Sequence, residues 1–189
     1  MHKAGVTGLF TDHNGFNERA GWSELQSYVM YRLMQDVTCD ADAVVEEFTD
    51  FLYGAAGPLV RTYLRELEQG RKEMTDLPPD TTYRSTNYDE RTFPYLTVGN
   101  IHRWQTSFDR MEEQVAGRPE PLLSVRILRR ELDFATLWKW HDLRKAYPAY
   151  FADYAAYVDR IVAVNTAKTP AGMKLRPLGK DTLADFVAV

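Results

Sequence analysis

One cysteine, Cys39, in 189 residues excludes an intramolecular disulfide and cannot by itself form a zinc site, so Cys39 reads as a packing residue. Long apolar runs are missing too. No window reaches the roughly twenty apolar residues of a membrane span, and Met1 is not followed by the charged-then-apolar order of a secretory leader. The chain therefore reads as soluble, with no membrane partner and no visible address. Basic clusters are scarce. With a net charge of -4 and a pI near 5.6, no stretch gathers enough Lys and Arg to neutralise several phosphates, which argues against nucleic acid as a partner. Arg126, Arg129 and Arg130 come nearest to a basic patch, and beside Glu131 and Asp133 they read as the solvated face of a helix.

Catalytic motifs are absent as well. There is no glycine-rich phosphate loop, paired-cysteine motif, His-Glu-x-x-His helix or nucleophile elbow, and His2, His13, His102 and His141 are scattered. No catalytic residue, metal site or cofactor is expected, and catalysis by this chain alone ranks low.

What is there suits one domain with a real core: 44% hydrophobic, 26% charged and a high 13% aromatic residues. The longest apolar-rich stretch, residues 121–146, reads as a central helix. Val125, Leu128, Leu132 and Ala135 form one stripe, and Ile127, Phe134, Leu137, Trp138 and Trp140 widen it until it needs neighbours on several sides. Pro121 suits its first turn and Pro148 its end. The other elements read as its cover. Residues 5–10 form the one persuasive strand, followed by an Asp-His-Asn-Gly turn. A first helix over residues 23–35 opens on Ser23 and Gln26, which fit a capping box. Asp40 or Thr38 caps a second helix carrying Val44, Phe48, Phe51 and Leu52, closed by Gly54. Pro58 opens a third helix ending near Met74, residues 75–95 form a long aromatic-bearing loop, and residues 97–116 form a fourth helix. A last helix after Pro148 presents Tyr150, Tyr154, Tyr157 and Ile161 and packs antiparallel to the central one. The expected fold is mainly α: a single domain over 1–189, with strand and loop in 1–20, a bundle of five to six helices in 21–166, and an irregular tail in 167–189 with a short helix from Asp181.

The sharpest candidate binding site is the turn after the strand. Asp12 can accept hydrogen bonds from a sugar hydroxyl, His13 and Asn14 add donors and acceptors, and Trp22 or Phe16 can stack on a pyranose face. A polar turn that satisfies its own backbone is the plainer reading. Trp138, Trp140 and His141 form a second cluster that reads as core, and the tyrosines from Tyr150 to Tyr157 read likewise unless part of them is exposed.

Three stretches carry a resemblance: Gly5-Val-Thr-Gly-Leu-Phe10, then Glu24-Leu-Gln-Ser-Tyr-Val-Met-Tyr-Arg-Leu-Met-Gln-Asp36, then Tyr53-Gly-Ala-Ala-Gly-Pro58. Together they resemble the end of the bacterial domain of unknown function 4838 family, where a barrel strand passes into an "ELxxYVxxxLxxD" helix, an acidic helix and an aromatic-Gly-Ala-Ala-x-Pro turn. Later helices, including residues 122–144, match more loosely, up to about Val164. That family is similar to glycoside hydrolases of the alpha-glucuronidase and beta-hexosaminidase kind, with a catalytic barrel followed by helices. The resemblance implies that this chain corresponds to the last barrel strand and the helical region. Glycosidic cleavage needs two carboxyl groups roughly 5 to 10 Å apart across the bond, and nothing in the sequence pairs Asp12 with a second one. The expected function is a noncatalytic helical C-terminal module of a glycoside-hydrolase-like protein, with a carbohydrate ligand at Asp12, His13, Asn14 and Trp22. The alternative is a homo-oligomerisation or protein-interaction module. A third reading, a small glycosidase, requires Asp12 and another acid, for example Glu24, to converge.

Overall fold

A computed structural model describes residues 18–19, 22–74, 93–167 and 174–175 of the chain. The strand expected over 5–10 and the tail helix expected from Asp181 lie outside these residues. The β-structure among the described residues is a two-residue parallel ladder, β1 (Glu18–Arg19) with β2 (Lys174–Leu175).

Helices make up nearly everything else, so the mainly α class holds. They are α1 (Ser23–Gln35), α2 (Ala41–Tyr53), α3 (Gly57–Lys72), α4 (Val98–Val115), α5 (Pro119–Trp138), α6 (Trp140–Ala146) and α7 (Tyr154–Thr166). Seven α-helices among the described residues, against five to six expected, follow from one break. The stretch read as a single central helix divides at Lys139, whose φ of -100° and ψ of 19° leave helical geometry. The amide of Lys139 still bonds back to the Ala135 carbonyl, and its own carbonyl receives Leu143, so it ends α5 and starts α6. The break turns Trp140 towards Tyr154 and Tyr157, with ring centroids 5.2 and 5.3 Å away, and leaves Trp138 45% exposed. Trp138 and His141 are therefore not core residues as expected; Trp140 alone of the three packs inward.

Local sequence explains most ends. Asp40 caps α2 by accepting from the Asp42 amide, Thr97 caps α4 through Asn100, and Asp153 caps α7 through Ala156. The expected capping box at Ser23 does not form: Ser23 is already helical, and Trp22, at the cap position, contributes no side-chain bond. Along α2, Val44 and Phe48 turn inward, whereas Phe51, at the edge of the buried arc, is 85% exposed. Pro148, just after α6, pushes Tyr147 out of helical geometry, and the chain turns there on Tyr150 and Phe151 amides bonded to the Tyr147 carbonyl.

The Tyr53-Gly-Ala-Ala-Gly-Pro58 motif is a tight corner between α2 and α3. Gly54 has φ of 55°, and a Cβ on it would stand 2.8 Å from Arg118 Nη1. A Cβ on Gly57 would come within 2.4 Å of Asp50 Oδ1 and 3.2 Å of the Thr49 carbonyl oxygen. The bare Gly57 lets α3 approach α2, and Gly54 turns the corner at positive φ with Arg118 and Pro121 packed against it. Buried Tyr53 and Ala56 fill the space beneath.

The core runs through the bundle from Val60 and Tyr63 to Ile101, Phe108, Val125, Leu132 and Ile161. Side-chain pairings set the directions. Arg126 meets Glu112 and Asp133 meets Gln105 across α5 and α4, while Arg130 meets Asn165 and Asp133 meets Arg160 across α5 and α7. Numbers rise on one helix as they fall on the other, so α5 lies antiparallel to both neighbours, as expected for the last helix. From the loop before α4, Tyr95 seats its ring on Gly70 and against Trp104.

Replacing Gly54 with Ala should cost about 1–3 kcal/mol in urea unfolding, the usual cost of holding a side chain in such backbone geometry. Gly99→Ala, on an open face of α4, should instead be neutral or stabilising by under about 1 kcal/mol.

Candidate functional site

Of the residues expected to meet a ligand, Asp12, His13 and Asn14 lie outside the described part. Trp22 is half-buried at the foot of α1, its ring 6.0 Å from Tyr63 and tilted by 35°. Tyr63 is itself boxed edge-on by Trp104 and Phe108, and burial pushes its phenol well above the ordinary tyrosine range.

The densest polar chemistry lies elsewhere, inside the bundle. A helix covered on most sides has little face left for its charges, so Arg129, Arg130 and Asp133 of α5 lie inward. Arg129 is 2% exposed, Arg130 1% and Asp133 1%. This corrects the expected solvated arginine face: only Arg126 of the three is exposed.

Arg129 spends its donors on three residues of α4. Its Nε and Nη2 reach Gln105 Oε1 at 2.9 and 2.7 Å, Nη1 reaches Glu112 at 2.8 Å, and Nη2 reaches Asp109 at 2.6 Å. Gln105, fully buried, uses its other end to donate to Asp133 Oδ1 and Thr136 Oγ1, both at 2.8 Å. Asp133 in turn accepts from Arg160 on α7 at both oxygens, 2.8 and 2.5 Å, and lies one helical turn from Arg129 at 3.6 Å. The Arg160 guanidinium also covers the Tyr157 ring at 4.3 Å. At the edge of the cluster Tyr150 donates to Asp109. Next to it His102 stacks on Tyr147, centroids 3.9 Å apart. Arg130 makes a separate tie, from Nη1 to Asn165 Oδ1 at 2.9 Å.

The electrostatics follow from these partners. Burial works to lower the Arg129 pKa, but Asp133, Asp109 and Glu112 outweigh it and hold the guanidinium more firmly charged than usual. Burial, then the bond to Asp109, raises the Tyr150 phenol and keeps it a donor. Three arginines and three carboxylates, counting Arg126 and Arg160, leave the cluster neutral. Chemically it is saturated: each carboxylate already accepts from one or more charged donors. Among the described residues no group of three His, Cys, Asp or Glu side chains is placed to hold a metal, and no helix is long and apolar enough to cross a membrane.

Reading charges by local composition missed this cluster. The available signal was the spacing of Arg129 and Asp133, four apart on a helix with no polar face to carry them.

The corner and the first two helices coincide with a known family. Residues 1–65 match the family model of a domain of unknown function, DUF4838. The resemblance read from the sequence therefore stands over that span, which takes in α1, α2, the glycine corner and the first half of α3. The cluster from Gln105 to Arg160 lies beyond it. No curated protein and no solved structure matches the chain.

Arg129→Ala should lower stability by about 3–5 kcal/mol, because Gln105 Oε1 would stay buried without its donor and Asp133 would lose one of its two neighbouring cations. Arg126→Ala, removing an exposed pair, should cost under about 1 kcal/mol. Chemical denaturation of both variants checks the contrast.

Proposed function

We propose that the chain is a noncatalytic helical module of a carbohydrate-related, glycoside-hydrolase-like protein, with sugar contacts made by Asp12, His13, Asn14 and Trp22. The observation that carries the noncatalytic part is the saturation of Asp109, Glu112 and Asp133 by arginine, glutamine and tyrosine donors. Carboxylates so engaged tie helices together, whereas a glycosidase needs one as an acid and another as a nucleophile or base facing the scissile bond. The family match over residues 1–65 supports the carbohydrate part through the resemblance of that family to glycoside hydrolases.

The test uses the whole chain. A glycan array should show binding that falls at least about tenfold in Asp12→Ala combined with Asn14→Ala, as expected when direct hydrogen bonds to a sugar are removed. An array without binding removes the sugar role. Hydrolysis of nitrophenyl glycosides that vanishes in Asp12→Asn would overturn the noncatalytic reading in favour of a small glycosidase.

A second reading, a homo-oligomerisation module without a sugar role, is favoured by the exposure of Phe51 on α2 and Trp138 at the end of α5. Light scattering on wild type and on Phe51→Ser decides it: a dimer that dissociates in the variant supports it, and a monomer at tens of micromolar rejects it.

A further inference from the structure

Two groups of surface charge, opposite in sign, are left unanswered in the bundle. From Trp22 to Ala56 the chain has seven acids and one base, Arg32. From Trp138 to Tyr147 it has three cations, Lys139, Arg144 and Lys145, and one acid, Asp142. Arg32 and Arg61 answer Glu47, Glu46 and Asp50, but among the described residues Asp36, Asp40 and Asp42 make no ion pair, and neither do Arg144 and Lys145. Each group has exposed apolar side chains beside it: Met34 and Val37 next to Asp36, and Trp138 at the end of α5, just before α6.

Helix directions bring both groups to the same end of the bundle. Tyr147, directly after α6, stacks on His102 near the start of α4, and α5 runs antiparallel to α4, so Trp138, Arg144 and Lys145 lie at that start. The end of α3 lies there too, with Arg103 bonded to Glu66 and the Tyr95 ring on Gly70. Across the glycine corner Arg61 of α3 reaches back to Glu46 and Asp50, so α2 is antiparallel to α3 and its start is level with the end of α3. Five residues join that start to the end of α1. Because α1 packs on α2, and α6 on α4 and α5, the acidic and basic groups sit side by side. A second copy turned by half a turn against this face lays each patch on its opposite, and the one rotation closes both contacts.

We propose that two copies of the chain meet end to end across this face, with Val37, Asp36 and Asp42 of one copy against Trp138, Arg144 and Lys145 of the other, and the reverse contact beside it. This interface rests on the oligomer reading, and it puts Trp138 in the contact but not Phe51, which lies by the corner at the far end of α2.

Light scattering on the full chain tests it with two charge-reversed variants, Asp36→Lys with Asp42→Lys, and Arg144→Glu with Lys145→Glu. The wild type should be a dimer at tens of micromolar and grow no larger, since both patches are then covered. Each variant alone should dissociate at least about tenfold more readily, because like charges face each other, and an equimolar mixture of the two should recover the dimer, because every contact in the mixed pair is again between opposite charges. Recovery on mixing also shows that neither variant has lost its fold. A dimer indifferent to both reversals, one that Phe51→Ser dissociates, or variants that stay apart when mixed overturn this interface and leave the oligomer reading standing. A wild type that is monomeric removes the reading and the interface together.

Discussion

Taking a charged side chain out of water costs several kcal/mol unless its partners are already in place, and Arg129 with Asp133 sets that condition for the middle of this bundle. Their partners come from three helices: Gln105, Asp109 and Glu112 from α4, the pair itself from α5, and Arg160 from α7. None of these helices can shift by a turn without stranding a buried charge. Apolar side chains such as Val125, Leu128 and Ile161 supply the burial, which is tolerant of sliding. The polar cluster supplies the register. Gln105 is the pivot, because only its amide both accepts from the arginine and donates to the carboxylate.

Around this cluster the aromatic residues close the far end. The break at Lys139 lets α6 fold Trp140 onto Tyr154 and Tyr157, and Phe151, completely buried, fills the space between the turn and α7. Tyr150 joins the aromatic wall to the polar interior through Asp109, so the two halves of the core meet at one phenol. Among the described residues, most aromatic rings belong to this wall or to the box around Tyr63.

Most of the architecture was legible because its signals are local. Asp40, Thr97 and Gly54 mark ends by their own backbone chemistry, and α1 begins and ends where its apolar spacing does. The break at Lys139 had no proline or glycine to announce it; packing of Trp140 selects it, and that packing depends on Tyr154 and Tyr157 of α7, across the turn that follows α6. Phe51 was misplaced because spacing groups residues into a stripe without saying how wide the buried arc is. The arginines were misread for a related cause. Mixed charge usually means water, and only the apolar excess on every face of residues 121–137 overrides that rule. Of the expected ligand site, Trp22 is seen as part of the wall around Tyr63, and the turn it was grouped with falls outside the described residues.

The family match stops at Arg65, in the middle of α3, one residue before Glu66 accepts from Arg103 and from the Trp104 indole. Tyr63, inside the matched span, has its ring wedged against Trp104 and Phe108, outside it. The edge of the match is therefore not a seam in the molecule: a cut there would sever a helix and bare a buried phenol, so the matched stretch and the helices beyond it rely on one another for a filled interior.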